Sequence, residues 1–153
     1  CFIRLLGDMR SYNFVVDITP NIEASQYRIR AIDFDQQSYE GWKSFYMPQY
    51  FKDNNGIIDL GIKHMGIETV RQYQMEERSL VATRVKSSIN RLRRLFDVMN
   101  KDIISTEDKV IKLRKDLGEH HKTKAFDNCR SMGEIVETNI RLLLAKDFKQ
   151  SFG

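Results

Sequence analysis

The sequence predicts an α+β fold that is mainly α: an N-terminal β-hairpin and an irregular aromatic segment, packed on a bundle of one long and two or more shorter helices. Three observations predict it. Residues 12–34 have the β-branched and aromatic texture of strands, the stretch after residue 61 carries apolar stripes at helical spacing, and the tract between them is aromatic without a period. At 153 residues the chain can bury one real core but not two ordinary ones. We therefore read 1–153 as a single domain, divided into a hairpin part (1–35), an aromatic connection (36–60) and a helical part (61–153).

The hairpin comes first. "YNFVVDIT" reads as one strand, and "YRIRAIDF" sets Tyr27, Ile29 and Ala31 against Arg28, Arg30, Ile32 and Phe34, the alternation of a strand with one wet side. Pro20 ends the first strand and "PNIEASQ" forms the turn. With that turn centred near Glu23, antiparallel pairing sets Asn13 opposite Asp33. Paired residues have Cα atoms about 4.5–5.5 Å apart, so an amide oxygen and a carboxylate could grip one hard cation, with Asp8 a loop upstream beside them.

The connection follows. "SYEGWKSFYMPQYFKDNNG" holds the only Trp, Trp42, and five further Tyr and Phe residues. Its rings are expected to pack over the helices as an ordered segment, an exposed aromatic ligand surface being the lesser reading.

In the helical part Val81, Val85, Ile89, Leu92, Phe96 and Met99 step by three and four, which predicts one long helix from Ile67 or Glu68 to about Asn100. Ser105 with Asp108, and Ser131 with Glu134, have the spacing of capping boxes. They predict helices over 106–119 and 132–147, with the stripes Val110, Leu113, Leu117 and Met132, Ile135, Val136, Ile140, Leu143 closing on the long helix.

Composition narrows the function classes. There is no apolar run near the ~20 residues of a membrane span and no secretory leader pattern, so a cytoplasmic location is expected. Cys1 and Cys129 make no disulfide framework, and His120, His121 and Cys129 complete no recognised zinc spacing. The net charge of +4 is mild and uneven, with six Lys/Arg against eight Asp/Glu in residues 1–60 and nineteen against thirteen beyond. "RLRR" and "KLRK" are the densest basic patches, but acids are interleaved along the helical part as a whole, which speaks against nucleic acid as a partner.

An Asp, an Asn and a second Asp gathered at a loop edge suit phosphoryl transfer, which rests on Mg²⁺ clamping and on a carboxylate that orients the attacking hydroxyl. "GDMRSYNFVV" followed by "AIDFD" resembles the catalytic loop, following strand and metal-binding Asp of the protein-kinase-like superfamily, most closely the aminoglycoside phosphotransferase type. The resemblance spans about residues 5–35. It implies a kinase-like C-terminal lobe in which Asp8 is the catalytic base, Asn13 and Asp33 hold Mg²⁺ at the phosphates of ATP, and Asp35 is a possible additional ligand. The sequence departs from the family pattern at Leu6, where His is usual, and in the twenty residues from Asn13 to Asp33, a longer step than is usual. No glycine-rich phosphate loop or strand-borne Lys precedes Asp8. The resemblance thus implies a piece of a longer phosphotransferase, inactive without its N-terminal lobe, with an unknown hydroxyl acceptor. The alternative is a non-catalytic helical interaction module, or a degenerate kinase-like domain.

Overall fold

The computed structural model describes residues 1–150, with side chains to residue 145. It is mainly helical, with one two-stranded antiparallel sheet at the N-terminal end. In chain order the elements are β1 (Phe14–Thr19), β2 (Gln26–Ala31), α1 (Asn55–His64), α2 (Ile67–Ser87), α3 (Ile89–Lys101), α4 (Glu107–His121) and α5 (Met132–Gln150). Short 3-10 turns at Phe2–Arg4, Ser11–Asn13, Lys43–Tyr46, Pro48–Tyr50 and Lys52–Asn54 fill the intervals.

The stripes on α4 and α5 make the core. Leu113, Leu117, Ile135 and Leu144 are fully buried, together with Leu5 from the N-terminal turn and Phe126 from the loop before α5. Each such side chain contributes about 1.5–3 kcal/mol by leaving water. On α5 the inward position is Leu144, with Leu143 only half-buried. Ser131 caps α5 by accepting the Glu134 N–H at 3.1 Å, and the Glu134 carboxylate reaches back to the Arg130 N–H. The predicted Ser105 cap does not form. The residue before α4 is Thr106, and the Ser105 hydroxyl instead donates to the Tyr39 carbonyl at 2.7 Å, tying the aromatic connection to the bundle.

The single long helix is two. Ser88 leaves helical geometry (φ −124°, ψ 25°) and divides α2 from α3. At the break the Ser87 hydroxyl donates to the Arg84 carbonyl, a local bond of the kind that bends helices, while the Ser88 N–H keeps its own bond to that carbonyl at 3.1 Å. Val81, Val85, Leu92 and Met99 still pack against the core and Phe96 is buried, so the stripe survives the break. The helical part also begins earlier than residue 61, at α1. Gly56 and Gly61 interrupt its pattern, and none of its residues is buried.

The hairpin forms as expected but with its register moved by one. Phe14 pairs with Ala31 and Thr19 with Gln26, so the turn is shorter than "PNIEASQ" by one residue and Asn13 faces Ile32 rather than Asp33. The Ile32 N–H donates to the Asn13 carbonyl at 3.0 Å. This register gives the ribbon two unlike faces. Asp17, Arg28 and Arg30 lie on one, with Arg30 and Asp17 paired at 3.0 Å, while Val16, Ile18, Tyr27 and Ile29 form an exposed apolar patch on the other.

In the aromatic connection only part of the expected packing occurs. Tyr46 is fully buried, donates its hydroxyl to the Glu40 carbonyl at 2.6 Å and takes the edge of Phe45, whereas Trp42 and Tyr50 stay largely exposed. Among the described residues no helix is long and apolar enough to cross a membrane.

Candidate functional site

Residues 5–13 form a loop between the bundle and β1, and apolar anchors fix its ends. Leu5, Leu6 and Met9 are buried, and Asp8 lies half-buried between them, its side chain 20% exposed. Leu6, standing where the resembled family has His, is thus a core residue. Gly7 admits no other side chain: a Cβ there would lie 2.4 Å from the Gln36 carbonyl oxygen and 2.7 Å from the Phe45 ring. The loop and the chain just after Asp33 therefore touch, backbone to backbone.

Asp8 adopts a left-handed conformation (φ 48°), uncommon for a residue with a side chain and tolerated best by Asp and Asn. Two donors hold it there. Its carbonyl accepts the Arg10 N–H at 2.8 Å and the Asn13 side-chain amide at 2.9 Å. This relation answers the spacing in the sequence: Asp8 and Asn13, five positions apart, close a loop on one carbonyl, and the amide oxygen of Asn13 is left outside that bond.

Asn54 clamps the same loop from beneath. It is buried, its amide donates to the carbonyls of Met9 at 2.7 Å and Pro48 at 2.9 Å, and its oxygen accepts the Ser11 N–H at 2.8 Å. Sequence reasoning missed it, because its partners in the loop, Met9 and Ser11, are more than forty positions away and a lone Asn before a helix reads as a turn residue.

The Asp8 carboxylate is met by Arg10, whose Nη1 lies 3.0 Å from Oδ1. The guanidinium also approaches Asp53 at 3.4 Å, donates to the Tyr12 hydroxyl at 3.1 Å and covers the Phe51 ring. The Tyr12 hydrogen bond and the field of Asp8 raise its already high pKa, so it stays charged.

Asp33 and Asp35 lie just past β2. The Asp35 N–H donates to the Asp33 carboxylate at 3.2 Å, a turn that folds the two side chains toward each other. A hydrogen bond to Asp33 raises the Asp35 carboxyl above the ordinary carboxylate value, with slight desolvation and the charges of Asp33 and Asp8 adding and a backbone hydrogen bond from Gln36 opposing. Asp8, Asp33 and Asp35 thus share one electrostatic neighbourhood at the root of the hairpin. The direct Asn13–Asp33 pairing is not formed, for the register reason above. Among the described residues no three acids, histidines or cysteines are close enough together to hold a metal ion by themselves. The mutual repulsion of Asp33 and Asp35 is the feature that a hard dication would relieve, and the oxygen donors are of the type Mg²⁺ takes.

His120 and His121 meet each other edge to face, with ring centroids 4.8 Å apart, and their further partners differ. His120 meets Lys43, His121 meets Asn139, and the buried thiol of Cys129 lies 3.5 Å from the Thr138 hydroxyl, its pKa pushed up by burial. Cys1 and Cys129 are both free.

Comparison with protein-family models, with curated proteins and with solved structures finds no match in any of the three.

Proposed function

We propose that this chain is the C-terminal lobe of a kinase-like phosphotransferase, which would transfer the γ-phosphoryl group of ATP to a hydroxyl acceptor. The observation that carries the reading is the Asp8–Asn13 closure, a strained acid locked by an amide five residues on, with Asp33 and Asp35 in the same field. In this reading Asp8 orients the acceptor hydroxyl and takes up its proton as the bond to phosphorus forms. Asn13 and Asp33 would hold Mg²⁺, with Asp35 as a further ligand; the metal, when bound, neutralises charge on the phosphate oxygens. Arg10 pairs with the Asp8 carboxylate between turnovers and must swing aside for a substrate. Loop strain fits such a role, since residues held in sparsely populated conformations gather at functional sites. A second support is the bare apolar face of the hairpin. Two strands alone are marginal in water, so a covering element such as an N-terminal nucleotide-binding lobe is what the reading requires.

The experiment is calorimetric titration of Mg²⁺ and a non-hydrolysable ATP analogue into the protein at its full natural length, beside Asp33→Ala and Asp8→Asn. The reading expects metal-dependent binding that Asp33→Ala abolishes and Asp8→Asn retains, while with ATP itself Asp8→Asn no longer transfers phosphate. Absence of binding to the unmodified protein overturns it.

One observation favours the other reading, a degenerate and non-catalytic domain. Arg10 occupies the Asp8 carboxylate at 3.0 Å, and Leu6 is packed inside where the resembled family carries His. In that case the same titration gives no heat, and the loop serves only to anchor the hairpin.

A further inference from the structure

A groove of about 290 Å³ lies where the α2–α3 break opens against α5. Val85, Ile89, Leu92, Phe96 and Ile140 make its floor, and Arg93, Glu137 and Arg141 its rim. Within the rim Glu137 is already neutralised by Arg141 one turn on, so the arginine charge is in excess. The sequence around the groove is one-sided as well. From residue 78 to residue 96 there are six Lys and Arg and no Asp or Glu, and of the exposed arginines in that stretch Arg93 lines the groove.

We propose that this groove docks an acidic amphipathic helix of a partner protein. An apolar floor recessed between helices takes the i, i+3, i+4 and i+7 side chains of a helix, and the arginines above it meet carboxylates on that helix's flanks. The floor itself has the same spacing, with Val85, Ile89, Leu92 and Phe96 on one line. The shape decides among anionic partners. A bilayer surface needs a convex apolar face to enter the headgroup region, and a duplex needs a polar face that meets phosphates; a concave apolar channel with a cationic rim suits neither.

The test uses a fluorescein-labelled helical peptide about five turns long, with leucines at the helical spacing and glutamates elsewhere, followed by anisotropy against the full chain. The expected result is saturable binding that weakens with salt, falls about tenfold in Arg93→Glu and is lost in Ile89→Glu. Ile89 is partly exposed, so that variant tolerates the charge, and circular dichroism checks its fold. Lys63→Glu on α1, remote from the groove, should bind as the parent does. Any of four results overturns the proposal: no saturable binding, unchanged binding in Arg93→Glu, equal binding of a leucine–lysine peptide, or displacement of the peptide by anionic vesicles or by duplex DNA.

Discussion

Nε2 of His121 lies 3.2 Å from Oδ1 of Asn139, a fully buried amide whose nitrogen holds the carbonyls of Phe2 at 2.9 Å and Ile3 at 3.1 Å. A carboxamide of α5 thus helps fasten the N-terminal turn that precedes the Asp8 loop, and a histidine sits on its outer atom. Phe2 also packs against both His120 and His121, and the His121 ring stacks on buried Phe126.

This fastening predicts a pH dependence. Burial holds both histidines below their usual pKa, and Lys43 lowers both further, while the Asn139 hydrogen bond partly offsets the shift at His121. When the folded pKa is the lower one, the unfolded chain binds more protons between the two values, so stability falls as pH drops through about 6.5 and is level above it. Urea midpoints should therefore decline from pH 7.5 to pH 5.5. In His120→Gln, which carries no titrating group at that position, the decline should be smaller, and an equal decline would remove His120 from the account.

Asn54 predicts a larger, pH-independent effect. Asn54→Ala leaves the Met9 carbonyl and the Ser11 N–H without their partner, and a buried polar group so stranded costs about 1–3 kcal/mol. For a domain of this size that is a fall in Tm of about 2–10 °C. Hydrogen exchange at Ser11 should quicken more than at the core amides of α4, which separates a loosened loop from general destabilisation.

The glycines predict opposite signs. Gly7→Ala drives a methyl group into the Gln36 carbonyl and the Phe45 ring, so the loop must move, at a cost of about 1–3 kcal/mol or more. Gly56→Ala, in α1, meets nothing within 4 Å and should stabilise by about 0.5–1 kcal/mol through helix propensity. Chemical denaturation of the two variants side by side checks both.

What the sequence made legible follows from the range of the forces involved. The stripes of α4 and α5 and the alternation of the hairpin are local periodicities, and both elements form where the pattern places them. The α2–α3 break falls at a serine pair whose first hydroxyl bonds to its own helix, a feature present in the sequence at Ser87 and Ser88 but outweighed by the apolar stripe running through them. The strand register depends on one residue of turn length, which hydrophobic pattern constrains poorly because Ile32 and Phe34 continue the alternation past the end of β2. Helix α1 has no buried residue, so no stripe could announce it. In the site, the spacing of Asp8 and Asn13 was visible but the bond that closes it was not, since it depends on the left-handed turn at Asp8, and Asn54 and the contact of Gly7 with Gln36 arise only when distant segments meet.

The bare face of the hairpin carries the last prediction, which bears on whether another element covers it. Val16, Ile18, Tyr27 and Ile29 are each more than half exposed, and Ile18 faces Tyr27 while Val16 faces Ile29 across the ribbon. In the 153-residue chain by itself, Ile29→Thr exchanges one β-branched residue for another at a wet position and should change stability by less than about 0.5 kcal/mol while improving solubility. If a covering lobe seats on this face at full natural length, the same substitution removes apolar area from an interface and should lower the melting temperature there. Thermal denaturation of the variant in both forms decides the matter: neutrality in the short chain with loss in the long one is the expected outcome, and neutrality in both would mean that the face is open in the working protein.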